Sequence, residues 1–368
     1  MVIATKPPVA NVSGTAGIGR AGLQHMDALT VRTEAILSHV LSLKAGERVL
    51  ILHDQGKDRI VNAFTEGAKA LGATAIDTYK FKDCRYKQGG VEEMIAKVQG
   101  RYDVCLNLID GGGDEIPDRV KLIKAEMASK ARTGHGPGIT EEMLLTEVDY
   151  EALKLQGKKL NAVFKDAEKV VITTPLGTSI EIKIKGRKWC DDLSIGTGSI
   201  GNIPNGEIFC GPIEDGANGT IVVDGSIGGN RGLVPSPIII EVKDGKIVQE
   251  NGVLNGVRWL DPNYVDKSGY LQELQRLLSK DEMASVIGEL GIGLVAFAVC
   301  GNLLQDEKAL ETIHIAFGNN DDEDEMAGNN HSMTHLDVLV RNPNFVVYYI
   351  KESGKQPFAL MENGNILI

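Results

Sequence analysis

Between residues 30 and 135 the chain switches repeatedly between two periodicities, and this limits the folds open to it. "ALTVRTEAILSHVLSL" has helical texture, and "GERVLILHD" is a continuous apolar run closed by polar residues, the mark of a buried strand. "RIVNAFTEGAKALGA" places Ile60, Phe64, Ala68 and Leu71 at helical spacing, and "TAIDTYKF" reads as the next strand. "VEEMIAKVQG" and "YDVCLNLID" repeat the pair. Strands joined through helices need crossover connections, so they lie parallel in one sheet. The expectation is a Rossmann-like α/β domain over residues 31–150, preceded by a Gly- and Pro-rich N-terminal arm, residues 1–30.

The texture then changes. "EEMLLTEVDYEALKLQGKKLNAVFKDA" predicts one long helix. From "KVVITTPLGTSIEIKIKG" to "PIIIEVKDGKIVQENG" the pattern is alternating strand with Gly-containing turns, and "KDG" between two strand runs is a hairpin signal. A helix returns at "SGYLQELQRLLSKDEM". Residues 151–368 are therefore expected to form a second domain of mixed α+β type, giving an α/β fold class overall.

Charge and cysteine usage exclude several roles. A net charge of −11 argues against a nucleic-acid backbone or an anionic membrane as partner, since both need clustered cations. The most apolar run, "LGIGLVAFAVCG", falls short of the about 20 residues that span a bilayer. Five scattered cysteines (Cys84, Cys105, Cys190, Cys210, Cys300) without a CxxC argue against a disulfide framework or a zinc ribbon. The N-terminus has no apolar h-region. The expectation is an acidic protein of the reducing cytoplasm acting on a small molecule or short peptide.

Two glycine-rich stretches invite a phosphate-binding reading and fail it. "GTGSIG", residues 196–201, satisfies GxGxxG, but Pro204 and Gly206 follow where a helix is required, so no nicotinamide or flavin site is expected. "DGGGDE", residues 110–115, follows a strand but lacks the P-loop lysine and carries acids where phosphate would lie.

The chemistry-bearing residues lie in the C-terminal half. "NIPNGEIF" places Glu207 after a Pro/Gly turn, and "IGELGIG" places Glu289 among apolar residues flanked by glycine. "ETIHIAFG" puts His314 on a strand, and "THLD" puts His335 and Asp337 two apart, hence on one face of an extended segment. Taken singly, each has a bland reading as a paired core or edge residue. Together they supply the mixed nitrogen and oxygen donors that zinc, cobalt, manganese or iron accept.

In this order "NIPNGEIF", "GELGIG", "HIAFG" and "HLD" resemble the aminopeptidase T family of metallopeptidases. The resemblance implies that Glu207, Glu289, His314, His335 and Asp337 bind two divalent ions (zinc, cobalt or manganese), with Glu289 and Glu207 the catalytic carboxylates. It also implies a homodimer, to which the N-terminal arm could contribute. One position departs: the family has a tyrosine ligand seven residues after the first histidine, where this chain has Asp321 at the head of the acidic run 321–325. "HLDVLVRN" is also similar to the iron-binding segment of 2,5-dihydroxypyridine dioxygenases, ring-cleaving enzymes with one Fe(II). Those have a histidine where Glu289 stands. Retention of Glu289, Glu207 and His314 favours the hydrolase, and the dioxygenase is the alternative. His331 is expected to be a solvated loop histidine.

Overall fold

The computed structural model describes residues 27–81, 90–99, 102–110, 116–228, 232–321 and 326–368. Most of the expected N-terminal arm, most of "DGGGDE" and the acidic run after Asp321 lie outside the described residues.

The alternating stretch builds a parallel sheet. Its strands are β1 (Arg48–His53), β2 (Ala75–Lys80), β3 (Val104–Leu108) and β4 (Arg132–His135), and β1 pairs in parallel with both β2 and β3. β3 is buried at every position, as expected of a strand covered on both faces. Helices α1 (Ala28–Ala35), α2 (Asp58–Ala70), α3 (Gly90–Val98) and α4 (Ile116–Ser129) make the crossovers and the cover. α2 buries Ile60, Val61, Phe64 and Ala68 along one face. At Gly67 it crosses α1 so closely that a Cβ would stand 3.0 Å from the Glu34 backbone nitrogen.

The single long helix expected after residue 140 is two. α5 (Glu141–Leu145) is capped by Thr140, whose hydroxyl accepts from Met143 N, and α6 (Tyr150–Phe164) by Asp149, whose carboxylate accepts from Ala152 N at 3.0 Å. The apolar periodicity runs through the break, but an Asp placed to cap a new helix start competes with continuation.

Next come β5 (Ala167–Thr173), β6 (Ser179–Lys183), β7 (Cys190–Asp191), β8 (Ile200–Asn202) and β9 (Glu207–Cys210). The end of "GTGSIG" becomes β8, parallel to β4, and the chain passes Pro204 and Gly206 directly into β9 without a helix. The parallel sheet, in order β2-β1-β3-β4-β8, thus takes its last strand from beyond residue 150.

The remaining strands are β10 (Ala217–Val223), β11 (Ile238–Lys243), β12 (Lys246–Ile247), β13 (Val257–Trp259), β14 (Ile287–Gly293), β15 (Thr312–Gly318), β16 (His335–Arg341), β17 (Asn344–Tyr349), β18 (Phe358–Glu362) and β19 (Asn365–Ile366). "KDG" makes the expected hairpin: Asp244 and Gly245, at φ 47° and 76°, link β11 to β12 in the conformation that two-residue hairpins demand. α7 (Tyr270–Leu278) and the short α8 (Leu303–Asp306) are the C-terminal helices. A nine-stranded sheet carries β5, β6, β10 to β13 and β17 to β19. A separate five-stranded antiparallel sheet, β16-β15-β14-β9-β7, carries every expected metal ligand. Among the described residues, no helix is long and apolar enough to cross a membrane.

Candidate metal centre

The five expected donors converge on one face of this antiparallel sheet. Glu207 opens β9, Glu289 lies in β14, His314 in β15, and His335 and Asp337 in β16. Bulky polar side chains fit there because the register sets each beside a residue with little or no side chain. Gly293 pairs with Glu207, Gly291 with His314, Ala316 with both Glu289 and Asp337, and Gly318 with His335. The clearance is absolute at Gly291, where a Cβ would lie 2.0 Å from His314 Nε2. Glycine normally weakens a strand, and here it makes room for the imidazole.

The donor atoms are within reach of common ions. Oxygens of Glu289 and Asp337 and a nitrogen of His314 lie within 4.8 Å of one another. His314 Nε2 stands 3.1 Å from Glu289 Oε1 and 3.3 Å from Glu207 Oε2. His335 Nε2 stands 3.3 Å from Glu289 Oε2 and 3.6 Å from Asp337 Oδ1. His335 Nδ1 donates to the Asn319 carbonyl at 2.8 Å, which orients the ring and turns Nε2 toward the carboxylates.

Charge also fits a bound cation. Burial alone would lower the pKa of His314, but the bond to Glu289 and the charges of Glu207, Glu289 and Asp337 outweigh it and push the imidazole up to about 9. The enclosed part of the His335 ring is opposed in the same way, yet Asp337 and Glu289 hold it well above its ordinary value. Glu289 is buried, which favours its neutral form, but the two histidines hold it well below the usual carboxylate range. Without a metal the imidazoles must therefore keep protons to balance the carboxylates. Two buried atoms point the same way: among the described residues, Glu207 Oε2 and His314 Nδ1 have no hydrogen-bond partner. These residues fit a divalent metal.

Sequence reasoning missed two neighbours. Lys308 is fully buried; its ammonium donates to Glu207 Oε1 at 3.0 Å and also to Glu307 Oε1. Burial would lower the Lys308 pKa, but Glu207 and Glu307 raise it, so it stays a cation. Burial, together with the charges of Glu207 and Asp337, pushes Glu307 up to about 7 against the pull of Lys308. The run "QDEKALE" looks like a solvated helix end, and no periodicity signals that Asp306, Glu307 and Lys308 turn inward. His331 lies on the surface, its side chain 74% exposed, with Nδ1 2.7 Å from Asp321 Oδ2.

A cluster of carboxylates and imidazoles on adjacent strands makes this a candidate site for divalent metal. Residues 149–261 match the family model described as thermophilic metalloprotease (M29), a stretch that holds Glu207 but none of the other four donors. AmpT from Thermus thermophilus has a similar structure, with a TM-score of 0.67 and 17% identity over 93% of this chain and 99% of that one. The 2,5-dihydroxypyridine dioxygenase from Pseudomonas putida KT2440 is also similar, with a TM-score of 0.62 and 18% identity over 92% and 96%. At these identities the structural likenesses establish a shared fold. No curated protein sequence matches the chain. Both resemblances read from the sequence motifs are thus present in the comparisons.

Proposed function

We propose that the protein is a metal-dependent hydrolase of aminopeptidase type that removes N-terminal residues from peptides. The observation carrying this reading is the charge of the centre. Glu207, Glu289, Glu307 and Asp337 face one ammonium, Lys308, a net negative charge that favours the binding of divalent cations. A single Fe(II) site of the dioxygenase kind would leave Glu207 and His314 without a task, although they stand 3.3 Å apart within the cluster.

Bound divalent ions would supply a water of lowered pKa and polarise the scissile carbonyl. Glu207, Glu289, His314, His335 and Asp337 would hold them. Glu289 reaches His314 through one oxygen and His335 through the other, which places it centrally to accept a proton from water and pass it to the leaving amine. Lys308 fixes Glu207 by occupying Oε1, which leaves Oε2 facing His314. The substrate's free α-amine, in its neutral form, would have the donor chemistry to bind at the loaded centre.

The test is elemental analysis of the purified protein together with anomalous scattering at the metal edge. Two ions within about 4 Å of each other, and release of leucine from leucyl substrates, are expected. A single iron held by His335, Asp337 and one further residue, with oxygen uptake on a dihydroxypyridine, would replace this reading by the dioxygenase.

A further inference from the structure

Asn205 stands where the two small sheets meet, three residues after β8 and two before Glu207. It is 1% exposed, and neither Oδ1 nor Nδ2 has a hydrogen-bond partner among the described residues. A carboxamide carries two donors and an acceptor, and enclosing it unpartnered disfavours the folded chain where an apolar side chain of similar size would not.

The backbone around Asn205 is held in place. Ile203 N donates to the His135 carbonyl at 2.7 Å and Gly206 N to the Asp192 carbonyl at 3.2 Å, while Leu294 N donates to the Gly206 carbonyl at 3.0 Å. Gly206 has φ 137°, and a Cβ there would come within 2.2 Å of Val295 Cγ2. The chain is thus pinned on both sides of Asn205. The location points to a ligand as well. Open parallel sheets bind ligands at the carboxyl ends of their strands, and the carboxyl end of β8 leads straight to a donor of the metal centre.

We propose that Asn205 holds the main chain of the peptide substrate, an inference that rests on the hydrolase reading above. An extended residue presents its N–H and C=O to the same side, and one carboxamide can bond both. Asn205 Oδ1 accepts the N–H, and Nδ2 donates to the C=O, of the residue that follows the cleaved bond. The side chain is a substrate-positioning group that takes no part in proton transfer.

The experiment compares two substrates on the metal-loaded protein: the tripeptide Leu-Gly-Gly, which has both groups, and leucine p-nitroanilide, which lacks the second carbonyl. Asn205→Leu is expected to lower kcat/KM for the tripeptide roughly tenfold to a hundredfold, mainly through KM. The anilide, which keeps only the N–H contact, should lose clearly less, roughly threefold to fivefold, and metal content should stay at the wild-type level. Asn205→Ser, the smaller change, should reproduce the split if the leucine variant does not fold. Equal losses on both substrates, or none, overturn the proposal while leaving the hydrolase reading in place. A wild-type protein that cleaves neither substrate with zinc, cobalt or manganese overturns both.

Discussion

Two histidine–carboxylate clusters stand out among the described residues, one between α4 and the parallel sheet and one on the five-stranded antiparallel sheet, and they are built to opposite rules. Against the parallel sheet, Glu126 of α4 is fully buried; its Oε1 accepts from Asn107 Nδ2 of β3 at 3.0 Å and its Oε2 lies 2.6 Å from His135 Nε2 of β4. Both carboxylate oxygens have a hydrogen-bond partner. In the antiparallel sheet, Glu207, Glu289 and Asp337 crowd around His314 and His335, and among the described residues Glu207 Oε2 and His314 Nδ1 make no hydrogen bond. A buried His–Glu pair is therefore no sign of function by itself. Excess charge together with unpaired donor atoms is what separates a site from a structural network.

The sharpest break in the comparison comes from truncating one acid in each cluster. Glu207→Ala and Glu289→Ala should each lose metal and reduce hydrolysis to background while the fold persists, as judged by circular dichroism and elemental analysis. Chelation of the wild-type protein should do the same, and added zinc, cobalt or manganese should restore the rate. If either variant kept full metal content and wild-type rate, that acid would have a structural role. Glu126→Ala should do the reverse: it breaks a buried pair and costs about 3–5 kcal/mol of stability, seen in denaturant unfolding, with metal stoichiometry retained.

A smaller effect is expected from a residue that binds nothing. Gly291→Ala puts a methyl group against the His314 ring and should weaken metal binding by roughly 10–100-fold, the range of changes that misorient a ligand. Wild-type affinity in a competition titration would mean that the strands can give at this point.

The two clusters should also differ in pH response once the metal is removed. His314 is raised from its ordinary 6.5 to about 9. A group raised on folding contributes stability that is complete below pH 6.5 and is lost as pH rises through about 9. The metal-free protein should therefore lose stability over that window, and the loaded protein, in which a cation takes the place of the protons, should not. Equal slopes in the two forms would count against cation replacement. The smallest effect belongs to His331→Ala. This surface ring pairs only with Asp321 among the described contacts, and its loss should leave metal content, kcat and Tm as in wild type.

The parallel sheet was legible because "GERVLILHD" and "YDVCLNLID" are buried on both faces and read as unbroken apolar runs, with Ile60, Phe64 and Ala68 at helical spacing between them. The five donors were legible because acids and histidines in apolar strands are costly and so stand out. Lys308 and Glu307 were not, since they follow Asp306 in a charged run that resembles a solvated helix end, and their burial depends on a strand 101 positions away at Glu207. The helix break at Asp149 was hidden by periodicity on both sides of it, and β8 by the glycines of a motif associated with another fold. Spacing reports which faces are apolar. It does not report which distant segment will cover them.

The link between β8 and Glu207 also has a mechanical consequence. Only four residues separate the last strand of one sheet from a donor in the next, and bonds at Ile203 and Gly206 hold that bridge without slack. Relative sliding of the two sheets would be delivered to the Glu207 carboxylate with almost no damping. The amides of Ile203, Asn205 and Gly206 should then be a natural place to record such motion by hydrogen exchange, slowing when the centre is loaded and the carboxylate is no longer free to travel.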